Sequence, residues 1–396
     1  MAKSFILILG YSLHRLTRPI WQVSVLLLGA TSACGQAATK PVVTSPRPFV
    51  VQEIATFSSP WAMAFLTGSG RPLLDAALLT ERGGKLWLVD TRSGSKTAVA
   101  GVPAVKVAGQ GGLGDVAVHP DFVVNRRVYL SFVEAGPDGN SGAVLGYGTL
   151  DLADRAHPAL TGFKIIWRQS PKIDGNGHFS HRIAFGPDGL LYLTSGERQQ
   201  FTPAQDMNGN LGKVLRLTDE GAPAPGNPWA TRGGIAATFW SIGHRNLLGI
   251  AFAPDGRLWE SEMGPKGGDE INLIVAGKNY GWPSASNGSN YDGSDIPDHR
   301  AGDGFEPPKL WWNPSISPSG LMIYSGDQFP RWKGDALVPA LSGKALIRVD
   351  IDGDKAAKAE QWDMGARIRA VDQGPDGSVF VLEDEGRLLR LDPVRR

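Results

Sequence analysis

From about Val50 onward the chain alternates apolar and polar positions in short runs, with glycine and proline between them. "AALLTERGGKLWLVD", "VYLSFVE", "RIAFGPDGLLYLTSGE", "GIAFAPDGRLWESEMG", "ALIRVDIDG" and "SVFVLEDEGRLLRLD" each read as β-strands of a half-buried sheet. No stretch keeps a helical period long enough to predict an amphipathic helix. Several runs share one phrase, an apolar strand, then Pro-Asp-Gly or Pro-Asp-Phe, then a second apolar strand. Such a cluster makes a tight turn: proline presets φ, the aspartate side chain bonds the backbone two residues on, and glycine takes positive φ. The prolines of the phrase are Pro120, Pro187 and Pro254, spaced by 67 residues, and the phrase returns at Pro375. Hairpins recurring at a long fixed period predict a radial array of four-stranded blades. At roughly 55–65 residues per blade, 50–396 holds about six. The expected fold is therefore all-β, a six-bladed β-propeller with long inter-strand loops and an active site at one end of the channel. A β-sandwich with insertions would explain the composition but not the period.

The amino-terminal segment follows a different pattern. His14, Arg15 and Arg18 precede the apolar "IWQVSVLLLGATSA", as in a secretory signal, and the run is shorter than the ~20 residues of a membrane-spanning helix. Ala33 before Cys34 fits a cleavage site. Cys34 could become a lipidated N-terminus, although Thr31 stands where lipoprotein signals usually carry leucine; cleavage near "GQAA" is the alternative. The expected organisation is an export signal over 1–34, a linker over 35–49 and a catalytic propeller over 50–396, in a periplasmic or exported protein. Any membrane anchoring would come only through lipid on Cys34. As the chain's single cysteine, it also excludes an intrachain disulfide or cysteine-rich metal site. A formal charge of +1 gives no global case for nucleic acid or an anionic membrane surface.

Four polar, glycine-rich segments interrupt the strand rhythm: "GQGGLGDVAVHPDF" (109–122), "GNGHFSHRIAFGPDG" (175–189), "SIGHRNLLGIAF" (241–252) and "SEMGPKGGDEINLIVAGKNYGWP" (261–283). The last sets Gly264, Gly267 and Gly268 beside Asp269 and Glu270. Glycine permits close backbone approach, and carbonyls with carboxylates are the ligands a hard cation such as Ca²⁺ selects. Arg367 and Arg369, two apart on a predicted strand, would share a face and suit a ligand rich in carboxylates.

Together with "SSPWAMAFL" (58–66), "LLTERGGKLWLVD" (78–90) and "ARIRAVDQGPDG" (366–377), these segments resemble the soluble glucose/sorbosone dehydrogenases, quinoprotein aldose sugar dehydrogenases that use pyrroloquinoline quinone (PQQ) and Ca²⁺. The resemblance runs through nearly the whole mature chain in order and implies a six-bladed propeller. It implies that His178 is the catalytic base, that Gln110 lies at the quinone edge and that Arg245 and Asn246 flank the quinone oxygens, Arg245 stabilising charge there. By the same resemblance the Gly264 and Pro265 carbonyls bind the Ca²⁺ that also binds PQQ. Glu270 and the Tyr280 carbonyl hold a second, structural Ca²⁺, and Arg367 and Arg369 hold the cofactor's carboxylates. Where relatives often have a lysine this chain has Ser342, so Lys344 is the candidate replacement. Ser180 and His181 stand where smaller residues are usual, and Leu247 and Leu248 where Pro-Gln is usual.

The implied reaction is oxidation of the anomeric hydroxyl of an aldose to a lactone, with an electron acceptor that the sequence does not identify. Two other readings remain open at this point: a Ca²⁺-dependent propeller lactonase and a non-catalytic propeller that binds glycans or proteins. His119, Asp188 and Asp376 are expected to be turn residues, His244 an orienting residue, and Trp311 and Trp312 either pocket walls or core. His181 is expected to begin the regular alternation of its strand and to be fixed by blade packing.

Overall fold

The computed structural model describes residues 46–67 and 75–394; Cys34, the export signal and most of the linker lie outside the described residues. Within them, six four-stranded antiparallel sheets form the blades of a propeller. The first blade contains Pro60–Phe65, Ala76–Glu81, Lys85–Asp90 and Lys96–Ala98. The second begins with Leu113–Val118, the third with Ser180–Phe185, the fourth with Leu247–Phe252, the fifth with Met322–Ile323 and the sixth with Ile368–Gln373. These innermost strands contact one another in order around the channel, the sixth against the first. The ring closes because Phe49–Thr56, the first described strand, pairs with Arg387–Pro393 as the outermost strand of the last blade. That strand starts at the edge of the stretch read as linker. Helix is confined, among the described residues, to the turn Phe122–Asn125 and a few 3-10 turns.

Pro-Asp-Gly turns join the innermost to the second strand in blades three, four and six, and Pro120-Asp121-Phe122 does so in blade two. Asp188 accepts from the Leu190 amide (3.1 Å) and Asp376 from the Ser378 amide (3.0 Å), as turn formers should. His119 is likewise a turn residue, its Nδ1 accepting from the Asp121 amide at 2.9 Å. Blade five replaces the phrase with a longer connection through the 3-10 turn Pro330–Trp332, so the 67-residue spacing skips from Pro254 to Pro375. The loops entering each blade and the hairpins between second and third strands gather at the opposite end of the channel.

Five of the six innermost strands lose register near that end, at Pro60/Ala62, Leu113/Val116, Ser180/Ile183, Leu247/Gly249 and Ile368/Ala370. A bulge re-aims the residue it releases from the ladder. Here those residues include Trp61, His181, Leu248 and Arg369, and all four line one cavity. The regular alternation expected to begin at His181 therefore does not begin there. Nor is simple alternation what brings Arg369 alongside Arg367.

Candidate active site

That cavity has a volume of about 290 Å³ and lies at the loop-rich end of the channel. Gln110, Arg367 and Arg369 line it, together with Arg82 and Asp384, which the sequence reading did not single out. Arg367 Nε donates to Asp384 Oδ2 at 3.0 Å, and Arg369 Nε to Oδ1 at 2.8 Å. Burial lowers the Arg369 pKa, while Asp384 opposes that shift. Asp384 is on the hairpin after the second strand of blade six, and its sequence context "LEDEG" is that of an ordinary acidic turn. The pair is thus salt-bridged and also faces the cavity. Arg82 Nε is buried without a partner. Three guanidiniums against one carboxylate, one of them with an orphaned donor, suit a planar ligand carrying several carboxylates.

His178 adjoins this cavity. Its backbone is left-handed (φ 46°), as are those of Ser180 (59°) and His181 (61°). The His178 amide donates to Gln110 Oε1 at 2.7 Å, joining two of the predicted site residues. Its buried Nδ1 hydrogen-bonds the Glu197 carboxylate. Glu197 also accepts from the amides of Gln199 (2.9 Å) and Phe201 (2.6 Å), which hold it in place. Burial pushes the His178 pKa below its usual value; Arg245 adds to that shift and Glu197 opposes it. The imidazole is therefore neutral, Nδ1–H faces Glu197, and the Nε2 lone pair is left free. Nothing local in "SGERQQ" marks Glu197 as the partner, because the two meet only through blade pairing.

Arg245 occupies an adjoining cleft of about 10 Å³ lined also by Glu262, Gly264, Glu270 and Tyr280. Its Nη1 donates to the Met263 (2.9 Å) and Gly264 (2.7 Å) carbonyls, and its amide to Glu262 Oε2 (2.6 Å). A side chain at Gly264 is excluded, since a Cβ there would lie 2.3 Å from the Gly267 and Gly268 carbonyl oxygens. Asn246 is buried and accepts from Ser180 Oγ at 3.2 Å. Predicted ligands Gly264, Glu270 and Tyr280 thus share one cleft; Pro265 stands next to it in the chain but is not among its lining residues. Lys344 is exposed, in left-handed backbone, on the turn after Leu341, and it too lies outside the cavity lining. Ser342 Oγ meets Ser317 Oγ at 2.8 Å.

Behind the cleft, Asn272 Nδ2 lies 3.1–3.2 Å from carboxylate oxygens of Glu260, Glu262 and Glu270. Two hydrogens cannot serve three carboxylates, and Glu260 Oε1 is buried with no partner. Burial, reinforced by Glu262, raises the pKa of both Glu260 and Glu270. His244 Nδ1 lies 3.1 Å from Glu262 Oε1, and its Nε2 2.8 Å from Ser241 Oγ. Excess buried carboxylate beside a cleft of this size fits a hard divalent cation. Trp311 is exposed, whereas Trp312 is core.

The glucose/sorbosone dehydrogenase family model matches residues 57–390. The chain belongs to this family. It is 41% identical over 343 residues to the aldose sugar dehydrogenase YliI of Escherichia coli, covering 84% of this chain and 90% of that protein. The apo crystal structure of the soluble aldose sugar dehydrogenase from Escherichia coli superposes with a TM-score of 0.81 at 40% identity, covering 87% of this chain and all of that one. The PQQ-bound aldose sugar dehydrogenase of Streptomyces coelicolor gives 0.71 at 29% identity, covering 88% and 99%.

Proposed function

We propose that this protein oxidises the anomeric hydroxyl of aldose sugars to lactones, using PQQ and Ca²⁺, with His178 as general base. The carrying observation is the buried His178–Glu197 pair set against a cavity whose three guanidiniums face one carboxylate. Arg82, Arg367 and Arg369 would hold the cofactor's carboxylates, and Gln110, Arg245 and Asn246 its quinone edge. The Gly264 and Pro265 carbonyls would hold one Ca²⁺, and Glu270 with the Tyr280 carbonyl a second. When bound, PQQ supplies the hydride acceptor and Ca²⁺ the Lewis acid that makes it more electrophilic.

His178 Nε2 takes the hydroxyl proton as the anomeric C–H leaves as hydride and the C=O forms. Glu197 fixes the tautomer of the neutral ring and stabilises the imidazolium that forms. A lactonase would leave the arginine-lined cavity without use. Dye reduction with glucose or another aldose, with and without each component, tests the reading. Activity is expected only with both PQQ and Ca²⁺; full activity without PQQ would overturn it.

We also propose that the protein is exported, with its mature N-terminus at lipidated Cys34. Intact mass from the native host would show two or three acyl chains. A soluble form starting after Cys34 would retire the lipid but not export.

A further inference from the structure

His181 is not a generic packing residue. Its ring lies parallel to Trp61, with centroids 5.2 Å apart and planes 7° apart. Its Cε1 fills the space over Gly114, where a Cβ would come within 1.9 Å. Ser131 Oγ accepts from the Asp115 amide at 3.0 Å and lies 2.7 Å from both His181 Nδ1 and the His181 carbonyl oxygen. The hydroxyl has one hydrogen, and a carbonyl oxygen can only accept, so that hydrogen lies on the carbonyl contact. The ring must then donate from Nδ1, and Ser131 Oγ accepts twice and donates once. This network assigns the Nδ1–H tautomer and leaves Nε2 as a bare lone pair. Nε2 has no partner among the described residues, and His181 lines the 290 Å³ cavity. Burial, with Arg182 beside it, pushes the ring's pKa down to about 3, so it stays a neutral acceptor.

An acceptor with no donor of its own is out of keeping with walls dominated by guanidinium donors. The carboxylates and quinone oxygens of PQQ are acceptors, and its pyrrole ring carries an N–H. A fixed lone pair repels the former and pairs with the latter. We propose that His181 Nε2 accepts a hydrogen bond from the pyrrole N–H of PQQ and so sets which way round the cofactor lies. This rests on the PQQ reading of the site.

Protein labelled with ¹⁵N-histidine tests it, with the His181→Phe spectrum assigning the resonances. Before any addition, His181 should show protonated Nδ1 and bare Nε2; the opposite tautomer would overturn the proposal. On titration with PQQ and Ca²⁺, the Nε2 resonance should move upfield while Nδ1 stays. His181→Phe keeps a ring but loses the acceptor, and should weaken PQQ binding about tenfold by visible absorption, the effect of one buried hydrogen bond. Should phenylalanine prevent folding, His181→Gly suits the left-handed backbone and should show the same loss. An unmoved Nε2 at PQQ saturation, or unchanged affinity in the folded variant, would refute the contact. Failure of the unmodified protein to bind PQQ would remove the cofactor reading as well, whichever tautomer is found.

Discussion

His178 and His181 sit three residues apart, both buried and both in left-handed backbone, yet they face different partners. Nδ1 of His178 is committed to a carboxylate, which would compensate protonation at Nε2; Nδ1 of His181 meets only the Ser131 hydroxyl. His178→Ala should therefore lower kcat by ~10²–10⁴-fold while PQQ still binds. His181→Ala should act mainly on cofactor affinity or stability; if it proves the inactive variant and His178→Ala turns over, the base is misassigned. Because burial depresses the His178 pKa, the acid limb of kcat/KM should have its midpoint below the ordinary 6.5. Glu197 opposes that shift, so Glu197→Gln should move the limb to still lower pH while reducing kcat; a limb that moves up would contradict the pairing. Stability follows the same sign. His181 is neutral in the fold down to about pH 3 but protonates near 6.5 when unfolded, so its contribution is present above 6.5 and lost as pH falls across that window. Of these residues the sequence displayed His178, Gln110 and the arginines. It did not display Glu197, Asp384 or Arg82, whose local contexts are ordinary polar turns; blade pairing brings Glu197 and Asp384 to their partners.

Bulged strand starts do most to shape the cavity. A single released residue leaves the apolar pattern intact on either side, so the period-two reading of "HRIAF" or "RIRAV" cannot show it. The Pro-Asp-Gly phrase was legible because its residue types are dictated by turn geometry. Arg367→Ala and Arg369→Ala should each weaken PQQ binding by roughly 1.5–3 kcal/mol, the range for a charge-assisted hydrogen bond, and affect the sugar KM less. Unchanged cofactor affinity in both would confine the pair to its salt bridge with Asp384. The 196–212 segment that delivers Glu197 is tied down by Lys213, whose buried ammonium donates to the carbonyls of Pro203 (2.9 Å), Ala204 (2.9 Å) and Leu211 (2.8 Å). Lys213→Met should cost about 1–3 kcal/mol, because those carbonyls lose their donor. Denaturant melting measures this, and an unaltered midpoint would mean that the segment is held by other contacts.

Across the whole molecule, ring closure by Phe49–Thr56 makes the innermost strands mutual neighbours and brings residues from six distant segments to one channel. Arg182, in blade three, ties that blade to four others there: it donates to Asp115 Oδ1 (3.0 Å) and to the carbonyls of Leu248 (2.7 Å) and Ser319 (2.6 Å), and packs on the Trp61 ring at 3.8 Å. A second cavity of about 420 Å³ opens toward the Pro-Asp-Gly end. Glu260, Glu262 and Glu270 share a single donor amide beside the Gly264 cleft, so a chelator should lower the melting temperature and added Ca²⁺ restore it. The central claim is that the arginine-lined cavity is a quinone site served by that cation, and a visible-absorption titration of metal-free protein with PQQ tests it most directly. Saturable spectral change requiring Ca²⁺, followed by bleaching on addition of an aldose, is the predicted result; no saturable change with PQQ and Ca²⁺ together would contradict it.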